Sequence, residues 1–152
     1  MPYEDRKSGS YLGGMAMGIV AAVFGAIFFV VLHMIVHGTV PNLSPMLEIV
    51  LLVFGYAVVG IVVGAGVKGG GRTDGGLPNR VTALILAYLA MAVAMTAIQH
   101  APPGPLFHQS IVKTFSTPFG PDAARNFAIM AIGLILAVII SAGAETQAPR
   151  KK

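Results

Sequence analysis

The chain has 152 residues, 55% hydrophobic and 11% charged, with a mean hydropathy of +0.79. Soluble domains carry about 25% charged residues and at this size bury only about 70% of their chain surface, so this composition argues against a soluble globule and for lipid as the solvent. A formal net charge of +4 and a pI near 9.7 raise nucleic acid as a partner. That partner is rejected, because the basic residues stand in short flanks beside apolar runs, where they act as topology signals. There is no Cys, which excludes disulfides, thiolate metal sites and thiol nucleophiles. There is no Trp either, so an interfacial aromatic belt must come from the 4 Tyr and 8 Phe.

The chain starts with a short polar segment carrying Arg6 and Lys7. The apolar run behind it, about Leu12 to His37, is too long for the core of a signal peptide and reads as a retained first span. A short uncharged turn follows, in which Ser44 is placed to cap a helix and Pro45 to occupy its first position. The second span is expected from about Met46 to Val67, antiparallel to the first. The stretch from Lys68 to Arg80, KGGGRTDGGLPNR, is the Gly-rich basic break that divides the chain into two apolar halves. Asn79 is placed to cap a third span from about Arg80 to Gln99. Within the loop at 100–122, Phe107, Ile111 and Phe115 share one helical stripe, which suggests a short helix lying in the interface plane. A fourth span is expected from about Ala123 to Gly143, followed by a polar tail.

Eight of the 10 Lys and Arg residues lie in the N-terminal segment, the central loop at 68–80 and the C-terminal tail. The positive-inside rule then places both termini and the central loop in the cytoplasm, which agrees with an even number of spans. The expectation is an all-α integral membrane protein: one domain, a bundle of four transmembrane helices. Lys68, Arg72 and Arg80 would meet anionic headgroups, at about 1 kcal/mol each. The run GGGRTDGG lacks the Gly-Lys-Ser/Thr ending of a phosphate loop and no strand precedes it, so it reads as a flexible turn.

Helices in lipid associate through close backbone approach. Gly14, Gly18, Ala22 and Gly25 share a face of the first span, and Gly60 and Gly64 form a GxxxG in the second. Ala83, Ala87, Ala90, Ala94 and Ala97 form a seam along the third; Ala124, Ala128 and Ala131 begin another in the fourth. Such faces either hold this chain's own bundle together or dock on another protein. Met15, Met17, Met91 and Met95 read as packing filler rather than a copper relay.

A resemblance rests on the stretch from about Val50 to Ala92. Gly60, Val63 and Gly64 lead into a Gly70-Gly71-Arg72 turn, followed by a Leu/Ala-rich span with the step Tyr88-Leu89-Ala90. This pattern resembles a loosely defined group of small, uncharacterised bacterial multi-span membrane proteins and covers under a third of the chain. The resemblance implies a bacterial membrane protein and no defined activity. Some members of that group carry a zinc ribbon before the spans, and a chain without Cys lacks that module.

In this topology all four His lie on the outer side. His33 and His37 are one turn apart on one helix face, His100 ends the third span, and His108 lies in the outer loop. Glu48 stands in the first turn of the second span, where the helix dipole favours a carboxylate. Imidazoles and carboxylates suit zinc, copper or iron, and His from two spans suits a membrane haem. The competing reading is of imidazoles hydrogen-bonded at headgroup depth, with no cofactor. No set of nucleophile, base and acid stands out, so no enzymatic activity is expected. The leading expectation is a non-catalytic membrane subunit or accessory protein that packs against a larger complex or itself. The alternatives are a metal- or haem-binding redox protein using His33, His37, Glu48, His100 and His108, and third a small-solute channel or transporter.

Overall fold

Four apolar runs fold into helices in a computed structural model that describes residues 11–71, 76–99 and 123–142. Helix α1 spans Tyr11–Thr39, α2 Pro45–Gly70, α3 Leu77–Gln99 and α4 Ala123–Ala142, and the described residues contain no strand. Three of them, α1 to α3, are long and apolar enough to cross a membrane. The apolar stretch of α4, Phe127–Ala142, is shorter. The expected interfacial helix around Phe107, both chain tails and Arg72 lie outside the described residues.

Ser44 caps α2 as its residue type predicts: its hydroxyl accepts from the Leu47 N–H at 3.4 Å, and Pro45 opens the helix. The start of α3 differs from expectation. Asn79 is not the cap but lies inside the first turn, where its N–H and that of Arg80 donate to the Gly76 carbonyl at 3.0 and 3.4 Å. Pro78 sits in the same turn, where a missing N–H costs little. At its far end α2 continues through Gly66, Gly69 and Gly70, although Gly is about 1 kcal/mol worse than Ala in a helix. Tertiary packing overrides that propensity, because this Gly-rich end lies directly against α1.

The packing follows the small residues. A Cβ on Gly14 would stand 2.9 Å from the Gly71 Cα, and one on Gly66 would stand 2.8 Å from the Met17 carbonyl. Further along, Gly25 faces Val59, and Phe29 lies against Gly55, so α1 and α2 are antiparallel. On another side of α2, a Cβ on Gly60 would collide with the Gly133 carbonyl, and one on Gly64 would stand 2.7 Å from that of Ala137. Helices α2 and α4 therefore run parallel. Contacts of Gly18 with Leu86 and of Tyr11 with Thr82 make α1 and α3 parallel too. Among the described residues α1 and α4 do not touch; α2 and α3 lie between them.

The core is made of Phe29, Val59, Val63, Val67, Ala83, Ala87, Met91 and Ala137, all fully buried. Phe29 meets the Tyr56 ring edge to face, with centroids 5.2 Å apart. Only 17% of the apolar stretch of α1 is buried inside the bundle, against 44% of that of α3, so α1 is the more peripheral of the two.

Candidate functional site

The buried stripe of α1 runs Gly14, Gly18, Ala22, Gly25, Phe29 at spacings of three and four. The same spacing carries it into His33 and His37, which are only partly buried. Their rings stack side by side, centroids 4.2 Å apart and planes inclined by 38°. His33 Nδ1 and His37 Nε2 are buried and have no hydrogen-bond partner. Each such atom costs about 1–3 kcal/mol if nothing satisfies it.

Glu48 stands exposed in the first turn of α2, close enough to His33 to act on it electrostatically. Among the described residues, no three His, Asp or Glu side chains converge to hold a metal ion. Glu48 stands to the pair as a neighbouring charge. His100 and His108 lie outside the described residues, and of the five residues that the sequence nominates the structure sets two, His33 and His37, in contact. Beside this cluster α1 and α2 enclose an open apolar cleft of about 310 Å³ lined by Leu32, Val36, Val40, Leu47, Leu51 and Phe54, among others.

Most residues nominated for helix packing are buried, but the expected α4 face is not: Ala128 is exposed and Ala131 half-buried, and α4 turns Ile129, Gly133, Ala137 and Ser141 inward instead. Gly14, Gly18, Gly25, Gly60 and Gly64 lie in the contacts of α2 with α1 and α4, and Ala83, Ala87, Ala90 and Ala94 lie in the core. The small-residue faces of α1, α2 and α3 are occupied within the chain. The exposed surface carries large side chains instead, such as Phe24, Phe28, Met34, Phe54 and Ile135. Met91 is a core residue whose methyl group reaches Gly133, whereas Met15 and Met17 are exposed. Of the expected headgroup cations, Lys68 is exposed and Arg80 half-buried.

Several contacts escape the sequence reading. Gly66 and Gly70 form a second GxxxG on α2, roughly 120° around the helix from Gly60 and Gly64, and they meet α1 at Ala21, Met17 and Gly13. That signal was present in the spacing. Gly133 gave none, being a lone glycine in α4. Asn79 is buried with its side-chain amide against Gly71, and the Thr82 hydroxyl donates to the Tyr11 hydroxyl at 3.3 Å.

Comparison of the chain with protein-family models, with curated proteins and with solved structures finds no match.

Proposed function

We propose that the chain is a non-catalytic integral membrane protein that crosses a bacterial inner membrane four times, with both termini cytoplasmic. It acts as a subunit or accessory of a larger membrane assembly, or of its own oligomer. The fourth crossing is supported by the pairing of α4 with α2: Gly133 at the level of Gly60 and Ala137 at the level of Gly64 set the two helices side by side at one depth. The orientation rests on the eight cationic residues on one side of the spans.

The observation that carries the functional reading is what fills the interior. Among the described residues, the fully buried side chains are apolar or bonded to their own helix: Thr96 donates to the Ala92 carbonyl at 2.8 Å and Ser141 to that of Val138 at 3.0 Å. Such an interior suits a structural element better than a solute pathway. With the Gly faces of α1 and α2 and the Ala face of α3 engaged inside the chain, association falls to the large apolar side chains of the outer surface, above all those of the peripheral α1. Solubilisation in digitonin followed by native electrophoresis tests this. The expected band lies well above the mass of one chain and its detergent, and holds either several copies or a second membrane protein. A homogeneous single chain with nothing bound would remove the proposal.

A further inference from the structure

The stacked imidazoles at the end of α1 are not accounted for by packing. Leu or Phe at both positions would fill the same space without withdrawing two ring nitrogens from water. His33 Nδ1 and His37 Nε2 do not bond to each other, since neither has a partner. They are adjacent, on one helix face, and beside a carboxylate that acts on His33.

The geometry points to a transition-metal site in which His33 Nδ1 and His37 Nε2 donate their lone pairs to a single divalent ion, with water at the remaining positions. Two nitrogens sharing an ion at ~2.0–2.1 Å each lie at most about 4 Å apart; the rings, with centroids 4.2 Å apart, are close enough for this once both turn about their side-chain bonds so that their in-plane lone pairs converge. Neutral imidazole is a good ligand for copper, nickel and zinc, and at equal geometry copper(II) binds most tightly. Glu48 offsets part of the ion's charge and can accept a hydrogen bond from a bound water. Its place in the first turn of α2 sets it at the end of the span, nearest the water outside the bilayer. Haem does not fit this pair. Axial ligands approach iron from opposite faces of a porphyrin, and two rings in contact on one side of one helix leave no room for a macrocycle between them. The site goes beyond the structural role proposed above and stands or falls independently of it.

The test uses the full chain, free of any affinity tag, in dodecyl maltoside micelles and titrated with copper(II). One ion per chain is expected, with an electron paramagnetic resonance spectrum showing coupling to two nitrogens. His33→Gln and His37→Gln each weaken binding at least tenfold, while Glu48→Gln weakens it two- to fivefold. Circular dichroism of each variant separates loss of the site from loss of the fold. A second variant keeps the test decisive should either substitution unfold the protein. The chain has only 4 His, so His100→Gln/His108→Gln leaves imidazoles at positions 33 and 37 alone. A two-nitrogen spectrum retained in that variant supports the site. Loss of the spectrum there, absence of stoichiometric copper in the folded parent, or unchanged affinity in His33→Gln or His37→Gln overturns it.

Discussion

The two ends of the α1–α2 pair are built on opposite principles. At the glycine end, Gly13, Gly14, Gly66, Gly70 and Gly71 let two backbones approach until no Cβ fits between them, and the Thr82–Tyr11 hydrogen bond ties α3 to the same corner. At the histidine end the facing residues are Leu32, Val36, Leu47 and Leu51, and they line an open apolar cleft between the helices. The pair therefore acts as a closed clasp at one end and an open mouth at the other. Side-chain size, not hydrophobicity, makes the difference, since in lipid a helix gains from close packing and little from greasiness as such.

The strongest way to break this contrast is Gly66→Leu. Its Cβ would lie 2.5 Å from that of Ala21 and 2.8 Å from the Met17 carbonyl, so α2 must move away from α1. A loss of about 3 kcal/mol is expected, read from reversible unfolding in mixed detergent and dodecyl sulfate. Thr82→Val tests the polar tie at the same end. It removes one interhelical hydrogen bond and is expected to cost about 0.6 kcal/mol in the same assay. Leu47→Ala at the open end is expected to change stability by less than about 0.5 kcal/mol, because an exposed side chain bordering an open cleft is replaced there by lipid. A larger loss at Leu47 than at Gly66 would reverse the assignment of the two ends.

Much of the fold is legible in the sequence. The apolar runs mark the helices, Ser44 and Pro45 fix the start of α2, and the Ala repeat from Ala83 to Ala94 marks the buried side of α3. What each small face meets is not legible. Spacing shows that Gly60 and Gly64 share a face, but not that this face meets Gly133, because the partner depends on how α2 crosses α4. Hydrophobic periodicity gives no help, since a helix in lipid is apolar all round and its buried and exposed sides differ in volume rather than polarity. The central turn is shorter than its Gly and Asn content suggests, for the same tertiary reason: α1 holds α2 helical to Gly70, and Asn79 folds back against Gly71. At the candidate site, the i, i+4 spacing of His33 and His37 and the placement of Glu48 are visible in advance. The unsatisfied nitrogens are not, because they depend on what surrounds each ring.

The lack of contact between α1 and α4 has a consequence for assembly during synthesis. The first hairpin can close on its own glycines once α2 has emerged, whereas the Gly60–Gly64 groove, about 120° around α2, stays open until the last helix arrives. A nascent chain halted after residue 99 would carry a finished clasp and a vacant berth one helix wide. The last helix is then a keystone, set from the side, which among the described residues meets the first helix only by way of α2 and α3.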